Sequence, residues 1–94
     1  MGFFSFNKYS IIEHYLTELE IKKLVSEVRV KTLSAGEEAA VETAIVARRR
    51  GDGKISLQQI YETLKSLVSQ GKISKIDRDK LMSRFKEYFT SKGY

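Results

Sequence analysis

Ser56-Leu57-Gln58-Gln59-Ile60-Tyr61-Glu62-Thr63-Leu64-Lys65-Ser66-Leu67-Val68-Ser69-Gln70-Gly71 reads as one helix with both ends marked. Ser56 stands just before the periodic residues, and Gln59 follows three positions later. In such a capping box the serine hydroxyl accepts from the backbone N–H of the third helical residue, whose own side chain reaches back to the serine N–H. Leu57, Ile60, Tyr61, Leu64, Leu67 and Val68 recur at i, i+3, i+4 and i+7, which places them on one face. Ile55, ahead of the cap, is set to staple onto Ile60, and Gly71 supplies the stop.

The same signature occurs three more times, as Ser10 with Glu13, Ser34 with Glu37 and Ser74 with Asp77, and the chain contains no proline. Four starts predict an all-α fold, a small bundle of about four helices in a single domain over residues 1–94. Turns are expected at 51–55 and 70–73. The second helix, about Ala35 to Arg50, carries a narrow stripe of Ala40, Val41, Ala44 and Ile45 that permits close helix approach. Arg48, Arg49 and Arg50 close it, where cations suit the helix dipole, and Gly51 sits where a left-handed stop is expected. The last helix, Lys75 to about Ser91, offers Leu81, Met82, Phe85, Tyr88 and Phe89 to the core.

The N-terminal helix, expected from about Ile11 to somewhere before Leu33, is the irregular member. At about 100° per residue, Ile12, Tyr15, Leu16 and Leu19 fall on one side, and Ile21, Leu24, Val25 and Val28 fall almost opposite. One straight helix cannot bury both sets in one core. The sequence therefore predicts a three-helix unit plus a long or broken N-terminal helix, with Ile21, Leu24, Val25 and Val28 as the interface of a homodimer. A short strand over Val28-Arg29-Val30-Lys31 is the lesser alternative.

Composition narrows the function classes. The chain has no cysteine and one histidine, His14, so neither a disulfide framework nor a thiolate zinc site is available. No apolar run approaches the roughly 18 residues that span a bilayer, and no secretion signal is seen, so the expected location is intracellular and cytoplasmic, with a membrane partner disfavoured. No nucleophile-and-base set or glycine-rich phosphate loop stands out, so no enzyme activity and no cofactor are expected. His14 with Glu13 and Glu18 suggests a ligand pair at i, i+4 but lacks a third ligand, and no metal is expected. The start Met1-Gly2-Phe3-Phe4-Ser5-Phe6 forms an apolar arm over 1–8, expected to pack on the bundle. Arg50-Gly51-Asp52 is read as a coincidental adhesion tripeptide.

Charge is unevenly placed on this chain of net charge +5. Residues 1–47 hold five Lys/Arg and seven Asp/Glu, whereas residues 48–94 hold twelve and five. A clustered positive field attracts phosphate backbones, anionic lipid or acidic protein surfaces. Two local patterns add detail. Asp52-Gly53-Lys54-Ile55-Ser56-Leu57-Gln58-Gln59 resembles the second half of an EF-hand loop, with its turn glycine and the isoleucine two residues on. In that register the first, third and last loop positions are Arg48, Arg50 and Gln59, two cations and an amide where calcium needs oxygens. The resemblance therefore implies a degenerate EF-hand-like module that binds no calcium.

Ile55 to Ile73 also looks like the capped helix ending in Gly-Lys-Ile of small winged-helix regulators. That resemblance implies a helix-turn-helix, with Arg48, Arg49, Arg50, Lys54, Lys72 and Lys75 on phosphates and Gln58, Gln59 and Arg78 near base edges. The leading expectation is a small basic non-enzymatic DNA-binding protein. The alternative is a structural, assembly or adaptor protein acting through helix-mediated protein contacts.

Overall fold

The computed structural model describes residues 9–28 and 33–94. The apolar arm over 1–8 and most of the alternating stretch from Val28 to Lys31 lie outside these described residues. The order of elements is β1 (His14–Tyr15), α1 (Glu18–Glu27), α2 (Ala35–Arg48), β2 (Lys54–Ile55), α3 (Leu57–Ser69) and α4 (Lys75–Ser91). The protein is a small all-α bundle, with four helices and one two-stranded antiparallel ladder among the described residues, the ladder pairing His14 with Ile55 and Tyr15 with Lys54.

Three of the four expected boxes start helices. Ser34 and Glu37, Ser56 and Gln59, and Ser74 and Asp77 each exchange both hydrogen bonds. The fourth does not. No helix begins at Ser10; the first helix opens at Thr17, whose hydroxyl accepts from the Glu20 N–H at 3.1 Å while Glu20 accepts from the Thr17 N–H at 2.8 Å. Residues Ser10 to Tyr15 are instead claimed by distant partners. The Ser10 carbonyl accepts from Gln58 N–H at 3.0 Å, and Glu13 takes up Arg50 and Gln59. A helix over this stretch would have to surrender those bonds.

This start resolves the two apolar sets. Ile21, Leu24, Val25 and Val28 are buried in the chain's own core with Val41, Ile45, Ile60, Leu64, Leu81 and Phe85. They present no surface to a second subunit, so the expected dimer interface is corrected: the set that packs is the set that was assigned outward. From the other set only Leu16 is buried, its N–H donating to the Gly53 carbonyl at 3.1 Å. Ile12, Tyr15 and Leu19 are exposed, together with Ile11.

The helix ends follow backbone chemistry. α2 stops at Arg48, two residues early, because Arg49 turns extended at φ −62°, ψ 151°. The left-handed residue of that turn is Gly53, at φ 90°, rather than the expected Gly51. After α3, Gly71 at φ 73° donates to the Val68 carbonyl and Lys72 donates to that of Leu67, the paired bonds of a Schellman stop. α4 ends the same way: Gly93 donates to Thr90, and Tyr94 donates to Phe89 and packs edge-on against the Phe89 ring, centroids 5.5 Å apart.

Candidate functional site

The residues expected to meet nucleic acid fall into two groups, at the α2–α3 and α3–α4 turns, and most are already bonded within the chain. Arg49 is a structural clamp: its Nη1 donates to the Leu16 carbonyl at 2.9 Å and ties β1 to the end of α2. Arg50 pairs with Glu13 at 3.1 Å, and the other Glu13 oxygen accepts from Gln59 Nε2 at 3.0 Å. Arg50 and Gln59 are thus linked through one carboxylate that lies outside the 48–59 stretch. Arg48 meets Glu62 only at 3.8 Å, and both side chains are near half exposed.

The remaining members divide likewise. Lys54 lies 4.9 Å over the Tyr15 ring. Gln58 accepts from the Tyr9 N–H at 3.0 Å and donates to Glu62. Arg78 pairs with Asp79 and sits 5.7 Å over the Tyr61 ring. Lys72 and Lys75 are exposed and make no ion pair among the described residues. Arg48, Arg50, Lys54, Lys72 and Lys75 keep donors that no hydrogen bond or ion pair uses, the Arg50 side chain being 62% exposed, whereas Arg49 and Arg78 are held within the chain, so the set is shorter than the sequence suggested. Charge type is legible from sequence, but which charge is already spent is fixed by residues such as Glu13 that are distant in the chain.

His14 lies on β1 and Glu18 on α1, so the two do not share a helical face. The imidazole stacks on Tyr94, centroids 3.8 Å apart, and meets Phe89 edge-on. Among the described residues no group of three or more His, Asp or Glu is placed to hold a metal ion. No helix among them is long and apolar enough to cross a membrane.

One concavity among the described residues was not anticipated as a site. An open groove of about 770 Å³ runs between α2 and α3, with Gly36, Ala39, Ala40, Thr43, Ala44 and Ala47 on one wall and Thr63, Ser66 and Leu67 on the other. Arg48, Glu62 and Lys72 stand at its margins. The sequence signal was the alanine stripe. Val41 and Ile45 take the core side of α2, and the alanines line the groove with no large side chain over them.

A second cleft, between α1 and α4, holds a polar pair that fixes these helices to each other. The Tyr88 hydroxyl donates to Glu20, whose other oxygen serves the Thr17 cap. Burial, then the bond to Glu20 and its charge, push the Tyr88 phenol up to about 12. Burial pushes Glu20 upward, but the bonds from Tyr88 and from Thr17, with Lys92 nearby, outweigh it and hold the carboxyl below its ordinary value.

Comparison of the chain with protein-family models, with curated proteins and with solved structures finds no match in any of the three.

Proposed function

We propose that the protein is a non-enzymatic adaptor or assembly module that receives a helix of another protein in the α2–α3 groove. The observation that carries this reading is the groove itself, open at about 770 Å³ and walled by glycine and alanine along three turns of α2. Gly36 to Ala47 spans about 16 Å at the α-helical rise, the length of a three-turn segment. Small side chains let a second helix axis approach to about 8 Å, the close end of the usual range. Arg48 and Lys72 at the margins favour a partner helix with carboxylates near its ends.

The test is a pair of groove-filling substitutions, Ala40→Arg and Ala47→Arg, in a chain whose partner has been captured and then purified. The reconstituted complex is expected to weaken about 100-fold, a difference of about 2.7 kcal/mol. Circular dichroism of the free chain should stay unchanged. A partner that binds both variants as tightly as the parent chain removes the groove from consideration.

A nucleic-acid role is the second reading, favoured by the exposed cations Lys72 and Lys75 on a chain of net charge +5. Its test is a duplex titration at about 50 mM salt, where phosphate neutralisation predicts affinity that falls as salt rises. Lack of affinity there, or affinity indifferent to salt, rejects it.

A further inference from the structure

Six large apolar side chains are exposed among the described residues, and four of them, Ile11, Ile12, Tyr15 and Leu19, lie within nine consecutive positions. Their exposures are 63%, 63%, 60% and 76%. Such clustering is unusual for a soluble surface, where single exposed apolar residues are common and contiguous patches mark interaction sites. None of the four lines either the α2–α3 groove or the α1–α4 cleft. They stand on an irregular lead-in, on β1 and on the first turn of α1.

The unpaired charge beside them is predominantly positive. Lys22 and Lys23 follow Leu19 by three and four residues on α1, so they lie on its side of the helix, Lys23 at the edge where it also lines the α1–α4 cleft, and neither makes an ion pair among the described residues. Lys54 lies over the Tyr15 ring. Of the nearby carboxylates, Glu13 is engaged by Arg50 and Gln59, and Glu20 by Thr17 and Tyr88, which leaves Glu18 alone free in this stretch.

We infer that the Ile11 to Leu19 surface docks on an anionic lipid bilayer, a site separate from the helix-receiving groove. Exposed aliphatic groups enter the acyl boundary, a tyrosine suits the interface, and flanking lysines meet lipid phosphates while their stems lie along the apolar zone. Charge complementarity selects this occupant over a second copy, because two copies packed patch to patch would bring Lys22, Lys23 and Lys54 against the same cations.

The experiment is co-sedimentation of the full chain with vesicles of pure phosphatidylcholine and with vesicles carrying about 30% phosphatidylglycerol, at about 0.1 M salt, where the Debye length is about 10 Å. Expected is binding to the anionic vesicles at least about tenfold tighter than to the neutral ones, and weaker as salt is raised. The variant Ile12→Ser/Leu19→Ser, with both positions at the surface, should lose about tenfold or more of that binding while its circular dichroism stays the same. Lys22→Gln/Lys23→Gln should reduce binding and flatten its salt dependence. No binding to anionic vesicles overturns the inference, as does binding that Ile12→Ser/Leu19→Ser leaves intact. So does a vesicle-independent dimer in sedimentation that the same double variant abolishes, since a second copy then covers the patch.

Discussion

α2 ends at the first of three consecutive arginines, and their neighbourhoods make them unequal. Arg49 donates to two backbone carbonyls, of Leu16 at 2.9 Å and Val46 at 3.5 Å, so truncating it leaves the carbonyl of the buried Leu16 without that donor. Arg49→Ala is expected to destabilise by about 1.5–3 kcal/mol, the range for hydrogen bonds from a charged group. Arg48→Ala, losing only a long exposed pair, should cost about 0.5 kcal/mol or less. Urea midpoints separate the two; equal losses would mean the Arg49 clamp carries no weight. The turn glycines form a second unequal pair. Gly53 has φ 90°, and an added Cβ would meet only Arg49 Nη1 at 3.6 Å, an ordinary contact, so the cost of Gly53→Ala is conformational and about 1 kcal/mol. Gly51 has open space and no positive φ, so Gly51→Ala should be neutral or stabilise by about 0.4–1 kcal/mol through the unfolded chain. Sequence pointed to Gly51 because it directly follows the last cation; the extended Arg49 moves the left-handed position two residues on.

At the scale of elements, what was legible is what is local. The α3 stretch declares its cap, its face and its stop within sixteen residues, and the structure uses all three. Ser10 and Glu13 have the same spelling as a cap, yet Glu13 is worth more to Arg50 and Gln59 than to its own backbone, and that preference is invisible without the β1–β2 pairing. The clue available in sequence was the reversal of apolar phase near Glu20, which a helix starting at Thr17 satisfies at once. Thr17→Ala should therefore destabilise by about 1 kcal/mol, the usual cost of losing an N-cap side chain. Ser10→Ala gives up only an exposed 3.2 Å contact to the Ile12 N–H and should cost a few tenths. If thermal unfolding finds Ser10 the costlier of the two, the assigned helix start is wrong. The choice of Ile21, Leu24, Val25 and Val28 as an interface misplaced them for a related reason: periodicity shows that two apolar sets exist, but only the tertiary packing shows which is spent inside. Gly93, which the sequence reading did not single out, stops α4 at φ 78°, and the pairing of Tyr94 with Phe89 is the hydrophobic contact such stops carry.

Across the whole molecule, the first and last helices are joined by the bond from Tyr88 to Glu20, and this bond makes stability depend on pH at both extremes. A phenol raised from 10.0 to about 12 on folding holds its proton more tightly in the folded chain, so its contribution is complete below pH 10 and is lost as pH rises towards 12. A carboxyl lowered from 4.5 on folding contributes fully above that value and is lost as pH falls through the lower folded one. Tyr88→Phe removes the hydroxyl and relaxes Glu20 in the same stroke. At neutral pH it should destabilise by about 1–2 kcal/mol, a donor to a partly exposed carboxylate sitting at the lower end of the charged range. Its ultraviolet titration should lack the phenolate step centred near pH 12, and urea midpoints from pH 10 to 12 should decline less steeply than those of the parent chain. The acid limb should also shift, with Tyr88→Phe losing less stability below pH 4.5 because Glu20 then starts from a less depressed value. Glu20→Gln separates the contributions: it keeps an acceptor for Tyr88 but removes the charge, so the phenol step moves back towards 10 while the α1–α4 contact survives. A Glu20→Gln chain that still titrates near 12 would show that burial, and not the carboxylate charge, raises the phenol.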